Sequence, residues 1–205
     1  MQRRAAFAWH RRMSVICRGF TLPEVMIAMG VGSMLMLSAA QIYPLMRQRS
    51  QSLGRHYQLE QLLRQTTFAI GKDLRRAGFC NGNCEGKPVI VSNAVGETAG
   101  SCVIVIYDLN RNGRWEGPGT AESEYFGYRL RQGGIEIQRG TGDCGSSGWE
   151  KLLDPSEVNV TKFSVTEHIS PGSAGLYSLQ LDAQWSRNPF IHRQVTEQIA
   201  GHFLW

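Results

Sequence analysis

The sequence lacks the short motifs that commonly mark a catalytic or nucleotide-binding site. It contains no HExxH, no GxSxG, no phosphate-binding loop and no CxxC pair. Cys80 and Cys84 are separated by three residues rather than by the two of redox-active pairs, and the histidines are scattered along the chain. These absences argue against an enzyme.

Acidic residues are missing from the first 19 positions, and this explains the net charge. The chain of 205 residues carries a formal charge of +5, with 22 basic and 17 acidic residues. Five arginines lie before residue 20: Arg3, Arg4, Arg11, Arg12 and Arg18. The 17 basic residues beyond them balance the 17 acidic ones, so the body of the protein has no excess positive charge for phosphate binding. This balance disfavours nucleic acid as a partner.

Charge is also absent from residues 25–43, a stretch of 19 mostly apolar residues. A helix rises about 1.5 Å per residue, so this stretch just crosses the hydrocarbon core of a bilayer. Glu24 lies immediately before it. An unpaired carboxylate within the hydrocarbon costs roughly 2.5 to 3.5 kcal/mol on insertion scales, so we expect Glu24 to have a partner or a function.

The hexapeptide GFTLPE, residues 19–24, precedes the apolar stretch and resembles the processing motif of the type IV prepilin family position by position. The resemblance implies that a membrane-embedded prepilin peptidase cuts between Gly19 and Phe20 and methylates the new amino group of Phe20. It also implies that Glu24, the fifth residue of the mature chain, meets the N-terminal ammonium of a neighbouring subunit. Such a pairing would neutralise two charges inside lipid.

Two other interpretations of the N-terminus are possible. A secretory signal peptide would be cut after the small residues 38–40, but its apolar region would begin with Pro23 and Glu24 and exceed the usual 7 to 15 residues. An uncut signal anchor leaves Glu24 unexplained. Translation from Met1 or from Met13 yields the same mature protein, because both leaders end at Gly19.

Apolar residues recur at three- and four-residue steps between residues 59 and 77, and Gly78 suits a left-handed C-cap. The pattern predicts a helix from Phe20 to Ala77, kinked at Pro44. Short β-rich segments follow Cys80, and the predicted strands are residues 102–107, 124–130, 135–139, 158–167, 176–185 and 193–203. Surface loops are expected at residues 140–148 and 170–175.

This pattern is typical of an α+β type IV pilin fold, in which a long helix packs on an antiparallel sheet. The expected organisation is a removable leader at residues 1–19, a membrane-embedded half-helix at 20–43, a periplasmic half-helix at 44–78 and a sheet-rich ectodomain at 79–205.

Four cysteines follow the apolar stretch: Cys80, Cys84, Cys102 and Cys144. An even number in an exported segment indicates two disulfides, and three pairings are possible. We favour Cys80–Cys84 with Cys102–Cys144, because only Asn-Gly-Asn separates the first pair and the second would join a strand to a distant loop.

The segment after the first predicted strand has the spacing of a calcium loop. Side-chain oxygens occupy positions 1, 3, 5 and 9 in Asp108, Asn110, Asn112 and Glu116. Gly113 stands at position 6, whereas position 12 is Gly119, so Glu122 or Glu124 would have to reach back. A hairpin turn at residues 112–113 is the alternative interpretation. No other metal or cofactor is expected.

Three ectodomain segments indicate which family within the type IV prepilins the chain resembles. They are KDLRRAGFCNGNC, SCVIVIYDLNRNGRWEG and EYFGYRL. They are similar to the prepilin peptidase-dependent protein B family of minor pilins, with further likeness to PilW and to the J-type pseudopilins of type II secretion. The resemblance implies a single-pass inner-membrane protein with a periplasmic C-terminal domain that enters a type IV pilus and helps to initiate or cap it.

The partners implied are the prepilin peptidase, other minor pilins, the major pilin and membrane lipid. One alternative is a type II secretion pseudopilin, which would share the processing and Glu24. Another is a periplasmic binding module merely tethered to the membrane, for which Glu24 would be dispensable.

Overall fold

The computed structural model describes residues 19–168 and 175–201. The chain divides into two units, one up to Ser50 and one from Gln51 onward. Helix α1, Leu22–Arg76, begins in the first unit and ends in the second. The leader residues 1–18, most of the predicted loop at 170–175 and the end of the last predicted strand lie outside the described residues.

The predicted long helix is confirmed, with ends within two residues of those expected. Pro23 lies in its first turn, where a missing N–H costs nothing. Pro44, where the sequence predicts a kink, lies inside the helix, and the helix continues past it.

The helix ends at Arg76, and Gly78 follows with a φ of 84°. This left-handed conformation is the expected C-cap and strongly favours glycine. The Gly78 N–H donates to the carbonyl of Ile106 over 2.9 Å, so the chain leaving the helix is bound directly to a strand.

In the described part of the chain, eight antiparallel strands follow. Five form one sheet in sequential order: β1 (Val89–Ser92), β2 (Cys102–Ile106), β3 (Tyr125–Arg131), β4 (Gly134–Arg139) and β5 (Glu150–Leu153). The other three form a second sheet, also in sequential order: β6 (Val158–His168), β7 (Leu176–Trp185) and β8 (Asn188–Ala200). The architecture is α+β and pilin-like, as predicted.

The core of the second unit is formed by α1 and both sheets. Strand β7 shows the expected alternation, in which Leu179 and Leu181 are fully buried while Gln180 between them is half-buried. The helix contributes one apolar stripe, consisting of Leu59, Leu63, Ile70 and Leu74. Burial of these faces supplies most of the stabilisation of a domain of this kind.

The strands depart from the prediction in three respects. They divide between two sheets, whereas one sheet was expected. Strands β1 and β5 were not predicted, because each has only four residues and the EKLL of β5 lacks alternation. Strand β8 begins at Asn188, five residues earlier than expected, because its polar residues pair with β7 across a tight turn.

Two disulfides are present in the second unit, Cys80–Cys84 and Cys102–Cys144. This is the pairing that the sequence favours among the three possible. The second bond joins β2 to the loop after β4, and both of its cysteines are buried.

Candidate functional site

The prepilin-like motif forms the start of α1. The carbonyl of Thr21 accepts the N–H groups of Glu24 and Val25 at 3.1 and 3.2 Å. The Glu24 carboxylate reaches back, and its Oε2 accepts the Thr21 N–H at 3.4 Å and the Thr21 hydroxyl at 3.5 Å. The bond from the Thr21 N–H to Glu24 is one half of a capping box, and the Glu24 N–H bonds to the Thr21 carbonyl instead of completing it at the Thr21 hydroxyl. Glu24 therefore has a local role in the single chain, which the sequence analysis did not identify.

The residues around the expected cleavage position are accessible. Phe20 is 82 % exposed, and no atom lies within 4 Å of the place where a side chain on Gly19 would be. Among the described residues, none packs against this position.

The apolar part of α1 has the length and composition of a membrane-spanning helix, and none of its most apolar residues is buried. Its large side chains are exposed along the whole stretch, for example Met26, Leu35 and Ile42. An apolar surface of this size on a helix near the N-terminus is suited to membrane anchoring.

The second candidate site is the loop of residues 108–116, which we call the carboxylate loop. Asp108 lies two residues after the end of β2 and is 1 % exposed. Its Oδ1 accepts the Asn112 N–H at 3.0 Å, and its Oδ2 accepts the N–H groups of Asn81 and Gly113, both at 2.9 Å. Burial acts to raise the pKa of Asp108, but these backbone donors outweigh it and hold the pKa below its usual value.

The other three predicted ligands lie in the same loop. The side-chain oxygens of Asn110 and Asn112 accept the N–H groups of residues 112 and 114, each at 2.9 Å. Glu116 accepts the side-chain amide of Asn112 at 2.5 Å and that of Asn110 at 3.5 Å. The bond from Asn112 lowers the pKa of Glu116.

Glu124, at the edge of β3, closes the carboxylate loop from the other side. Its Oε1 accepts the N–H groups of Leu109 and Asn110 at 2.6 and 3.0 Å. The residue is fully buried, and its Oε2 has no hydrogen-bond partner. Burial raises the pKa of Glu124, which the two N–H groups oppose and the like charges of Glu116 and Asp108 reinforce.

The sequence alone does not decide whether Glu122 or Glu124 reaches back to the carboxylate loop, and the structure does. Glu124 contacts the carboxylate loop, whereas Glu122 is exposed. Within residues 19–168 and 175–201, no group of three or more His, Cys, Asp or Glu side chains is arranged to hold a metal ion by itself. A cation in this loop would therefore need amide oxygens as well as carboxylates.

The short disulfide loop between Cys80 and Cys84 lies against the carboxylate loop. The Asn81 side chain donates to the carbonyl of Arg111 at 3.1 Å. A Cβ on Gly82 would lie 2.9 Å from both the Cα and the carbonyl oxygen of Gly113, so the two backbones are in close contact. The disulfide loop therefore supports the position of the carboxylate loop.

Two buried charged groups were missed by the sequence analysis. Asp73 lies on the apolar stripe of α1, and Arg129 lies on β3 where it pairs with Glu136 at 2.7 Å. Arg129 also donates to the carbonyl of Cys144 at 2.7 Å, which fixes the loop after β4. For Asp73 the sequence offers one signal, because the helical repeat places residue 73 beside the apolar stripe. For Arg129 the sequence offers no such signal.

Comparisons with known proteins agree with this geometry. Residues 16–40 match the prokaryotic N-terminal methylation motif, and residues 52–201 match the family model of prepilin peptidase-dependent protein B. A protein of that name from Escherichia coli strain K12 is 34 % identical over 192 residues, which cover 94 % of this chain and all of the relative.

An uncharacterized protein from Haemophilus influenzae is 27 % identical over 154 residues, covering 52 % of this chain and 65 % of the relative. No solved structure gives a significant match. On the family model and the Escherichia coli relative together, the chain belongs to the prepilin peptidase-dependent protein B family.

Proposed function

We propose that the protein is a minor pilin of a type IV pilus that acts through assembly, by helping to initiate or cap the fibre. The observation that carries the proposal is the GFTLPE motif at residues 19–24, placed at the accessible start of an exposed apolar helix. The match to the methylation motif over residues 16–40 supports the same interpretation.

In this proposal the prepilin peptidase removes residues 1–19 and methylates the amino group of Phe20. Residues 20–43 then lie in the inner membrane and later in the filament core, and residues 44–78 continue the helix into the periplasm. Residues 79–205 form the ectodomain that contacts other minor pilins and the major pilin. The two disulfides fit an oxidising compartment such as the periplasm.

Glu24 is proposed to pair with the N-terminal ammonium of a neighbouring subunit. In the single chain its only described hydrogen-bond partners are the N–H and hydroxyl of Thr21, both at 3.4 Å or more. These bonds are long, and they leave the negative charge without a cation. An ammonium from another subunit would supply one in a medium where isolated charge is costly.

The deciding experiment is intact-mass and N-terminal analysis of the protein from cells with and without the prepilin peptidase. We expect a mature chain that begins with methylated Phe20 only when the peptidase is present. A chain that begins with Gln41, or that retains its leader in peptidase-competent cells, would overturn the proposal.

A Gly19→Ala variant and a Gly30→Ala variant form a matched pair for the same assay. Both positions are exposed with no neighbouring atoms within 4 Å, so neither substitution disturbs packing. Processing is expected to be lost or slowed only for Gly19→Ala. Equal processing of the two variants would argue against recognition of Gly19.

A further inference from the structure

We propose that the carboxylate loop, closed by Glu124, binds one calcium ion. Calcium binding at this loop does not depend on the pilus function. Three features favour it: the contacts of five residues, one buried oxygen without a partner and the charge of the loop.

The proposed ligands are all oxygen atoms, and the residues that carry them either belong to the carboxylate loop or contact it. Asp108 is held at the first position by three backbone N–H groups, which orient its carboxylate and leave a lone pair free on Oδ1. The Asn110 and Asn112 side chains turn their oxygens toward the loop backbone. Gly113, with a φ of 82°, makes the turn that the sixth position of such loops requires.

Glu124 provides the independent observation. Its Oε1 is fixed by the N–H groups of Leu109 and Asn110, at the second and third positions of the loop. Its Oε2 is fully buried and has no hydrogen-bond partner, although a buried polar atom normally has one. Glu116 and Asp108 also act on Glu124 as like charges, an arrangement that is unfavourable unless a cation or a proton offsets it.

Among the described residues, the negative charge of the site has no fixed counterion. Asp108, Glu116 and Glu124 contribute three carboxylates, and none of the ion pairs among the described residues joins them to a lysine or arginine. A divalent cation would offset most of this charge. In doing so it would replace the two asparagine amide groups that now donate to Glu116.

Calcium fits this set better than other common metals. It takes six to eight oxygen ligands in flexible geometry, from carboxylates, amide or backbone carbonyls and water. Magnesium demands a stricter octahedron and retains its waters, and zinc prefers the nitrogen and sulfur ligands that this loop lacks.

The test is calorimetric titration of the full-length protein in detergent micelles, freed of metal with a chelator. We expect one saturable site for calcium chloride, with a Kd of about 10⁻⁴ to 10⁻³ M as in extracellular modules. Magnesium chloride should bind at least about tenfold more weakly. Melting followed by circular dichroism should show a higher Tm in calcium than in chelator.

A matched pair of variants assigns the site. Glu124→Gln should weaken calcium binding about tenfold or more, whereas Glu122→Gln removes the same charge from an exposed position two residues away and should leave binding unchanged. If Glu124→Gln does not fold, Asn110→Ala replaces it, because Asn110 is exposed and its loss leaves the core intact.

Terbium luminescence gives a second measurement, with Trp115 inside the loop as the sensitiser. The site is supported if terbium emission falls when calcium displaces the bound terbium, and if Glu124→Gln abolishes the emission. Absence of calcium binding by the folded protein, equal weakening by Glu122→Gln, or equal affinity for magnesium would overturn the proposal.

Discussion

Tyr128 donates its hydroxyl to the Asp73 carboxylate over 2.6 Å and so joins β3 to the last turns of α1. Tyr107 donates to the other oxygen of the same carboxylate at 3.2 Å. Asp73 is only 5 % exposed, so these two phenols replace most of the water that the carboxylate loses on folding. The end of the helix is thereby fixed on the five-stranded sheet by polar as well as apolar contacts.

Tyr128→Phe is expected to lower the free energy of unfolding by about 1–3 kcal/mol, because one oxygen of a buried carboxylate loses its donor. Chemical unfolding of the protein in micelles, followed by circular dichroism, measures the change. Tyr57→Phe is the control, since that side chain is 72 % exposed. Equal effects of the two substitutions would contradict a specific role for the Asp73 contact.

Stability should fall at alkaline pH. Burial, reinforced by Asp73, raises the pKa of Tyr107 to about 12, and the same causes raise the pKa of Tyr128. A raised pKa means that the folded state holds its proton more tightly, so this contribution is complete below the unfolded value of about 10 and is lost as pH rises toward 12.

We therefore expect the free energy of unfolding to decline between pH 10 and about 12. The decline should be shallower in Tyr107→Phe. It should not vanish, because burial also raises the pKa of Tyr177 to about 12 and that residue continues to contribute. Denaturation midpoints measured across this range test the expectation. An identical slope in the wild type and the variant would exclude Tyr107 as a cause.

Arg129→Met should destabilise the protein by about 3–5 kcal/mol, because it leaves Glu136 as an uncompensated charge in a mostly buried site. The variant also loses the stacking of the guanidinium on Trp149, whose ring centre lies 4.2 Å away. Chemical unfolding again provides the measurement. Arg64→Met, which breaks an exposed pair with Glu60, should have little effect.

Gly82→Ala should cost about 1–3 kcal/mol, because its new methyl group would press on the backbone of Gly113. Gly117→Ala is the matched control, since no atom lies within 4 Å of its added carbon. Thermal melting compares the two. Similar Tm values would mean that the disulfide loop does not support the carboxylate loop.

The capping contact of Glu24 with Thr21 and its proposed charge pairing can be separated. A glutamine side chain at the third helical position can also accept the Thr21 N–H, so Glu24→Gln retains the capping contact and removes the charge. Glu24→Val removes both. If an intersubunit ammonium is the partner, both variants should be depleted several-fold in sheared pili, as measured by immunoblotting against the membrane fraction.

Normal incorporation of Glu24→Gln, with loss only in Glu24→Val, would show that capping alone matters. Glu60→Gln, which changes a half-buried residue farther along the same helix, controls for a general effect of lost charge.

The helix and six of the eight strands could be predicted from the sequence, because burial imposes a repeat of three to four residues on α1 and of two on strands such as β7. The repeat specifies which residues are buried, but it does not specify which strands are neighbours. The division into two sheets depends on long-range pairing, and β5 is too short to show any repeat.

The candidate sites show the same limit. The GFTLPE motif and the spacing of residues 108–116 are local, and the sequence displays them directly. The choice of Glu124 over Glu122 depends on where β3 begins, and the burial of Asp73 depends on Tyr128, 55 positions away. Contacts of this kind follow from the register of the fold and leave no local pattern.

The bond between Cys102 and Cys144 spans 42 positions and encloses the carboxylate loop, β3 and β4 in one covalent ring. A single proteolytic cut anywhere in that ring would not release a fragment. The nicked protein would migrate on a non-reducing gel as one species and would separate into two pieces only after reduction. Digestion compared under the two conditions therefore reveals cuts inside the ring that a non-reducing gel conceals.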